Sequence, residues 1–489
     1  MHFTQPELPT RRAFLRRSGQ LALTGAALPM ALNLAAMGEA AAFNATDYKA
    51  LVCVFLSGGN DCANTVVTYD DPSYNAYSAI RGGGAGQAAG GIALSKASLS
   101  ATLLAPTTPL AGGRQYALHP AMTGLAGLFN AGQAAVQLNV GPLVAPLTRV
   151  QYDSGNGLLY PRPPKLFSHN DQQSVWQSSS PEGAKVGWGG GMGDLALSGN
   201  GNSMFTCMSL TGNTVFLAGN STLAYQMSPA GAPIVSSLAY NVYSSVAVNQ
   251  AMVQLVQQPR SHVLENEYNR VMKRAIGAGN TITHALAPFP ANSAPFIAFP
   301  SANSLADQLK MVARLIAARG SLGVKRQVFF VSLGGFDLHD NLMAQHSTQL
   351  GLVSQAMTAF YHATAALGVA SQVTAFTASD FGRALTSNGG GSDHGWGSHH
   401  LMVGGAVKGK AFYGTPPPVS VGNTSAAQDQ WHVGQGRLLP STSVDQYAAT
   451  LARWFGVADA ELAAILPNLK NFGAAANRAD YPANLGFMA

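Results

Sequence analysis

Charge is scarce in this sequence. Lys, Arg, Asp and Glu make up 10% of the 489 residues, against roughly 25% in ordinary soluble domains. The formal net charge is +6, and no stretch outside the N-terminus concentrates the basic residues, so nucleic acid is not an expected partner. Hydrophobic residues reach 47%. The chain therefore has ample apolar material for a core, and disorder driven by high charge is excluded.

Cysteine is scarce as well. Cys53, Cys62 and Cys207 are the three in the sequence. They are too few and too scattered for a disulfide framework or for a cysteine-rich metal site. Any metal would therefore depend on histidine and carboxylate ligands, a set typical of open, catalytic sites.

The N-terminus indicates export rather than a membrane anchor. Arg11 and Arg12 begin a basic segment, a mildly apolar stretch follows from Leu21 to Met37, and a small-residue cleavage site ends at Ala42. The apolar stretch is too short to span ~30 Å of hydrocarbon securely. The pattern resembles a twin-arginine (Tat) signal. We expect residues 1–42 to be removed, the Tat translocase to be a partner during export, and the mature chain to be periplasmic or secreted with no stable membrane span.

Three apolar runs of β-forming residues indicate buried parallel strands. They are Ala50–Leu56, Arg326–Leu333 and Gln372–Thr377. Each is followed by an aspartate: Asp61, Asp337 or Asp380. Long helical patterns lie between the later runs, which favours a parallel sheet with flanking helices. Because functional groups gather at the carboxyl ends of such strands, we expect the three carboxylates to share one cleft, where a divalent cation would balance them.

Histidines lie close to two of these acids. His339 follows Asp337 by two positions, and the segment 393–400 contains His394 and His399. Imidazole with carboxylate is the ligand set of zinc and related metals. We expect one or two divalent ions, with zinc favoured. Asp337 and His339 alone cannot fill four coordination positions, so the 393–400 loop is expected to supply His394 or His399.

A second polar segment contains Ser168 and His169. A serine beside a histidine in a loop is a candidate nucleophile that a metal or base would assist. The alternative is equally consistent with the sequence: Ser168 is the N-cap of a helix that begins at His169.

Five motifs together resemble the family numbered as domain of unknown function 1501. The motifs are Phe55–Asp61, Ser168–Asp171, Gly334–His339, Ser379–Arg383 and Asp393–Gly395. The resemblance runs through residues 43–489. It implies a secreted protein of the alkaline-phosphatase-like superfamily: an α/β fold, a three-layer α/β/α sandwich with a mainly parallel central sheet.

The resemblance also implies roles for individual residues. In that superfamily a metal site hydrolyses phosphate or sulfate esters, so the substrate would be a small-molecule or glycan ester. By matching motif, Asp61, Asp337, His339 and Asp380 look like metal ligands, joined by His394 or His399. Ser168, beside His169, falls at the nucleophile position. Arg383 and Asn60 look like residues that hold substrate oxygens.

Some features depart from the superfamily pattern. Phe381 follows Asp380 where the phosphatases have histidine, and one residue rather than three separates Asp337 from His339, so one metal ion remains an alternative to two. A non-catalytic periplasmic metal- or ligand-binding or assembly protein with the same fold is the alternative function. A glycan hydrolase with paired carboxylates is disfavoured because glutamate is scarce near every motif. Residues 180–300 are expected to form an insertion or cap.

Overall fold

The computed structural model describes residues 46–82, 90–232 and 244–489. Arg11, Arg12 and the rest of the predicted signal lie outside the described residues. The strands are β1 Lys49–Leu56, β2 Val66–Thr68, β3 Tyr116–Leu118, β4 Ala134–Gly141, β5 Cys207–Ser209, β6 Tyr225–Gln226, β7 Arg326–Leu333, β8 Val373–Ser379, β9 Ser398–Gly404, β10 Phe412–Tyr413 and β11 Thr442–Ser443.

The helices in the described ranges lie before, between and after these strands along the chain. They are α1 Cys62–Thr65, α2 Asp71–Ile80, α3 Thr123–Asn130, α4 Arg149–Asp153, α5 His169–Ser178, α6 Trp188–Ala196, α7 Val246–Leu255, α8 Val263–Leu286, α9 Ser304–Ala317, α10 Arg319–Leu322, α11 Leu342–Ala366, α12 Val444–Phe455 and α13 Asp459–Ile465.

A nine-stranded sheet forms the centre of the molecule, with strand order β10-β4-β9-β8-β1-β7-β5-β6 and β11 paired to β4. β1 lies between β7 and β8 and is parallel to both. Leu56 pairs with Leu333 on one side and with Ser379 on the other, so the three strands end together. The predicted mixed α/β class with a mainly parallel sheet is confirmed, and Asp61, Asp337 and Asp380 follow the same edge.

Helices cover both faces of the sheet because successive side chains of a strand point to opposite faces. Val52 and Val54 belong to a core cluster with residues of α9 and α11. On the opposite face, Phe376 lies with its ring 5.6 Å from that of Trp188 in α6 and 5.8 Å from that of Tyr447 in α12. The central strands are buried on both sides, which is why they appear in the sequence as continuous apolar runs.

Two predicted features differ in the structure. β9 begins at Ser398, so His399 and His400 belong to a strand rather than to the preceding loop. The strand extends this far because β9 is antiparallel to β4 and pairs Ser398 with Val140. In the predicted insertion at 180–300, β5 pairs with β7 and β6 pairs with β5. Part of that region therefore extends the central sheet instead of forming a cap.

In the described ranges, no helix combines the length and the apolar character that crossing a bilayer requires.

Asp445, in the first turn of α12, is a buried carboxyl that affects stability. It accepts hydrogen bonds from Ser179 Oγ at 3.2 Å and from the Asn468 backbone N–H at 3.1 Å. Burial raises its pKa from 3.8 to about 6. Between these values the folded state binds more protons than the unfolded state, so this group's contribution to stability falls as pH rises through that window.

Asp445→Asn should therefore gain stability relative to the parent chain as pH rises from 4 to 7. The asparagine keeps an acceptor oxygen and has no charge to bury, so the relative gain should reach about 3 kcal/mol at most. Denaturant unfolding at several pH values measures it, with the exposed Asp480→Asn as control. A stability difference that does not change with pH would contradict the expectation.

Candidate metal centre

Arg383 connects the loops that follow the central strands. Its Nε donates to the Gly59 carbonyl at 2.7 Å, and its Nη1 donates to the Ser392 carbonyl at 2.9 Å. Its Nη2 contacts the Gly58 and Phe336 carbonyls and the Asp337 carboxylate. Every nitrogen of the guanidinium is thus engaged, and its side chain is 1% exposed. These bonds fix the loops after β1 and β7 against the loop that carries His394.

The loop after β1 approaches its neighbours so closely that it requires glycine. Gly58 has a φ of 118°, and a Cβ at that position would lie 2.4 Å from the Asp337 backbone nitrogen. Any larger residue would push Asp337 away from β1 and from Arg383.

Three potential metal ligands converge beside Arg383. One ligand atom each from His169, Asp337 and His394 lies within 4.8 Å of the other two. His169 begins α5, Asp337 follows β7, and His394 belongs to the loop before β9. His169 Nε2 lies 3.3 Å from Asp337 Oδ2 without hydrogen-bond geometry, so it is a buried nitrogen that lacks a hydrogen-bond partner among the described residues.

Each imidazole in this group has its Nδ1 held by an acceptor. His169 Nδ1 lies 2.7 Å from Asp380 Oδ2, and His394 Nδ1 lies 2.7 Å from the Phe167 carbonyl. Because both acceptors require an N–H, the proton of the neutral ring is on Nδ1 and the lone pair of Nε2 faces Asp337. This is the arrangement by which carboxylates and carbonyls orient histidines that bind metals.

His339 extends the group at its exposed side. Its Nδ1 lies 3.3 Å from Asp393 Oδ1, and its Nε2 lies 3.1 Å from Asp337 Oδ1 and 2.9 Å from His394 Nε2. Two imidazole lone pairs that face each other at this distance need a proton or a cation between them. The donor set of imidazole nitrogens and one carboxylate fits zinc, and three protein ligands leave a position open for substrate.

The pKa shifts in the group follow from these contacts. The hydrogen bond to Asp380 raises the pKa of His169, and burial lowers the pKa of His394. Burial alone would raise the pKa of Asp337, but its hydrogen bond to Arg383 and the charge of Arg383 outweigh this and keep it below its usual value. Asp337 is thus held as a carboxylate, the form that binds a cation.

Phe381 and the loop before α5 fix the orientation of the imidazoles. The Phe381 ring lies 4.8 Å from that of His169 and 4.6 Å from that of His394. Phe167, whose carbonyl accepts the hydrogen bond from His394 Nδ1, has a φ of 73°. This is a left-handed backbone conformation that residues other than glycine rarely adopt. Such backbone strain is concentrated at sites where surrounding contacts over-determine a geometry.

Asp61 lies at the expected sheet edge, but its partner is Arg81 and not the expected metal ion. Its Oδ2 lies 2.6 Å from Arg81 Nη2 and accepts from Ser392 Oγ at 2.7 Å, and both side chains of the ion pair are 2% exposed or less. Burial raises the pKa of Asp61, but Arg81 more than offsets this, so the net shift is downward. The carboxylate therefore stabilises the His394 loop through Ser392 and is not a member of the three-residue group.

Asn60 and Arg383 are not arranged to hold substrate. Asn60 is 1% exposed, and its side chain hydrogen-bonds to Thr65 Oγ1 and His346 Nε2. The donors of Arg383 are engaged by loop carbonyls, as described above. Arg383 differs from the expectation because the tight Gly58-Gly59 turn needs donors for its carbonyls, and Asn60 differs because its side chain is buried against Thr65 and His346.

His399 lies apart from His169, Asp337 and His394, which we call the metal-ligand group. It is in β9 and its Nδ1 accepts from the Asn139 backbone N–H at 3.0 Å. Burial lowers the pKa of His399 to about 4. Of the two histidines that the sequence left open, the structure brings His394 to the group.

Ser168 and Asp380 support α5 and His169. Ser168 is the N-cap residue of α5, as the alternative expectation had it, but its Oγ donates to Asp171 Oδ2 at 2.9 Å and does not accept from a backbone N–H of the helix. Asp380 accepts from the Gly58 backbone N–H at 3.1 Å and from Gln173 Nε2 at 2.8 Å, in addition to His169. Asp380 therefore orients an imidazole, and its oxygens already have partners in the protein.

Sequence reasoning missed His169 as a member of the ligand group and Arg81 as the partner of Asp61. Two further residues had no assigned role: Asp393, which orients His339, and Phe381, which packs against His169 and His394. One signal was available: Asp393 is adjacent to His394 in the histidine-rich loop.

Comparison with known proteins identifies the family. A family model described as "Protein of unknown function (DUF1501)" matches residues 48–466. The chain belongs to this family. The match covers the three strand-end aspartates and all the histidines of the metal-ligand group.

The other comparisons add little. No curated protein matches this sequence. A solved structure titled "Crystal structure of Ps i-CgsB in complex with k-i-k-neocarrahexaose" is similar over 90% of this chain and 78% of its own, with 10% identity and a TM-score of 0.33. A likeness this low carries no argument on fold or ligand.

The site predicts which histidine substitution removes the metal. His394→Ala should lower the zinc content of the purified folded protein after dialysis, because it deletes one of three converging ligands. His399→Asn keeps an acceptor for the Asn139 N–H and should leave the zinc content unchanged. Elemental analysis measures both, with the exposed His362→Ala as control. Equal zinc loss in the His394 and His399 variants would rule out this ligand set.

Proposed function

We propose that the protein is an exported, metal-dependent hydrolase of phosphate or sulfate esters, with an alkaline-phosphatase-like fold and one zinc ion held by His169, Asp337 and His394. One observation carries the proposal. The Nδ1 atoms of His169 and His394 are held by Asp380 and by the Phe167 carbonyl, and both Nε2 atoms therefore point at the half-exposed carboxylate of Asp337. A purely structural zinc site is usually closed by four protein ligands, whereas three ligands suit a catalytic site.

A bound divalent ion would act as a Lewis acid on an ester oxygen and lower the pKa of a water molecule. Residues of the chain would attract the ion, hold its carboxylate ligand in place and transfer a proton. Asp337 provides the negative charge that attracts the ion, and Arg383 keeps that carboxylate ionised and in place. His339 is 45% exposed and is oriented by Asp393, so it is suited to transfer a proton to the leaving oxygen or from the attacking water.

One ion fits these contacts better than two. Asp61 and Asp380 were the other carboxylates expected to bind metal, with Asp380 expected at the second of two ions. Asp61 is committed to Arg81, and Asp380 to His169 and Gln173. Phe381, at the position where the superfamily's phosphatases have histidine, packs against both rings and has no atom that binds a metal.

A non-catalytic metal-binding or ligand-binding protein is the second candidate. It is favoured because the groups expected to act on substrate are already hydrogen-bonded within the protein. Ser168 Oγ is hydrogen-bonded to Asp171, and the Arg383 nitrogens are bonded to loop carbonyls. The two candidates agree on the metal and differ in turnover.

Turnover of simple esters separates the two candidates. Zinc-loaded mature protein should hydrolyse 4-nitrophenyl phosphate or 4-nitrophenyl sulfate, and Asp337→Asn should lower kcat/KM by about a hundredfold or more. Chelation should abolish the activity and added zinc should restore it, while His362→Ala serves as the matched control. Full zinc content with no turnover of either ester would exclude the hydrolase and leave the binding protein.

Export by the Tat pathway is part of the proposal. Its support is the Arg11-Arg12 pair ahead of an apolar stretch and the Ala40–Ala42 site. Replacing both arginines with lysine keeps the charge but loses the planar guanidinium groups. The precursor should then accumulate in the cytoplasm, as cell fractionation would measure. Normal export of this variant would contradict Tat export and leave the metal site unaffected.

A further inference from the structure

A cleft of about 340 Å³ lies next to the metal-ligand group, between α5 and the carboxyl ends of β1 and β7. We call it the amide cleft because asparagine and glutamine side chains from two segments line it. Asn170, Gln173 and Gln177 enter from α5, and Asn213 enters from the segment after β5. Ligand pockets in proteins begin at about this size.

The amide cleft is connected to His169 through Asp380. Gln173 lines the cleft and donates to Asp380 Oδ2 at 2.8 Å, the same oxygen that holds His169 Nδ1 at 2.7 Å. Ser57, another lining residue, precedes Gly58, whose N–H donates to Asp380 Oδ1. A molecule with one end at the imidazoles would therefore have its other end within reach of the cleft.

The lining is rich in neutral groups that both donate and accept hydrogen bonds. Hydroxyls come from Ser57, Thr211 and Ser332, beside the amides of α5. Among the lining side chains in the described ranges, Glu182 is charged and none is a lysine or arginine. An anionic group in the cleft would meet the Glu182 carboxylate without a compensating cation.

We propose that the amide cleft binds a neutral, hydroxyl-rich portion of the substrate, so that the ester is one of a sugar or another polyol. This inference rests on the proposed hydrolase function. The ester group would lie at His169, Asp337 and His394, while amides and hydroxyls of the cleft donate to and accept from the substrate's hydroxyl groups. The rings of Phe55 and Phe330, whose centroids are 5.8 Å apart, form part of the apolar wall of the cleft.

The test compares two esters that differ in the part away from the metal. Wild-type protein should hydrolyse a panel of sugar phosphates or sulfates with kcat/KM at least about tenfold above that of the matching 4-nitrophenyl ester, since one or two added hydrogen bonds correspond to such a factor. Asn213→Trp, at the exposed rim of the cleft, should remove this preference mainly through KM. The readout is the ratio of the two kcat/KM values, so a general loss of activity in the variant would not imitate a lost preference.

The matched control is Asn292→Trp, at an exposed position outside the residues that line the cleft. An Asn213→Trp variant that keeps the full preference for the sugar ester would overturn the inference, as would a wild type that prefers the 4-nitrophenyl ester. Either result leaves the hydrolase intact. If neither ester is hydrolysed, the proposed function has failed.

A binding measurement then tests the cleft without turnover. Saturation-transfer NMR with a mixture of neutral mono- and disaccharides should give signals for wild-type protein and for Asn292→Trp, and Asn213→Trp should lose them. The absence of signals from the wild type, or equal signals from all three proteins, would overturn the amide cleft as a sugar site.

Discussion

The site depends on the hydrogen bonds of the Arg383 guanidinium. Parallel strands β8, β1 and β7 bring three loops to one edge of the sheet, but a sheet edge alone does not fix loops to one another. Arg383 does so by donating to carbonyls of the loop after β1, of the loop after β7 and of the His394 loop, while it also contacts the Asp337 carboxylate. A planar group with five donors can bridge three segments in this way, whereas a lysine ammonium has three donors and no fixed plane.

The three strand-end aspartates show how environment divides similar residues among different tasks. Asp61 is 2% exposed, and its ion pair with Arg81 offsets the cost of burying its charge, so it stabilises a loop. Asp380 is fully buried and orients His169. Asp337 is 45% exposed although Arg383 touches it. A carboxylate that keeps contact with solvent is available to a ligand, and burial therefore decides which of the three aspartates could bind one.

The strand ends could be predicted from the sequence because doubly buried strands appear as continuous apolar runs, and parallel pairing then places Asp61, Asp337 and Asp380 at one edge. The partners of these acids could not be predicted. Arg81 meets Asp61 through the packing of α2, and Asp380 meets His169 across 211 positions of sequence. His399 was expected to be as available as His394, but strand pairing with β4 extends β9 to Ser398 and turns His399 towards Asn139.

The proposal of one ion rather than two rests on the same partition of partners. Each carboxylate at the edge has room for few contacts, and backbone N–H groups, arginines and imidazoles compete with metals for its oxygens. At Asp61 the competitor is the buried Arg81, so replacing it with an ion would leave a buried charge without its acceptor, at a cost of several kcal/mol. At Asp380 an ion would take the acceptor from His169 Nδ1–H and from the Gln173 amide. At Asp337 the neighbours are imidazole nitrogens whose lone pairs are themselves ligands. A cation there gains acceptors without depriving any donor except one hydrogen bond of Arg383, which retains its loop carbonyls.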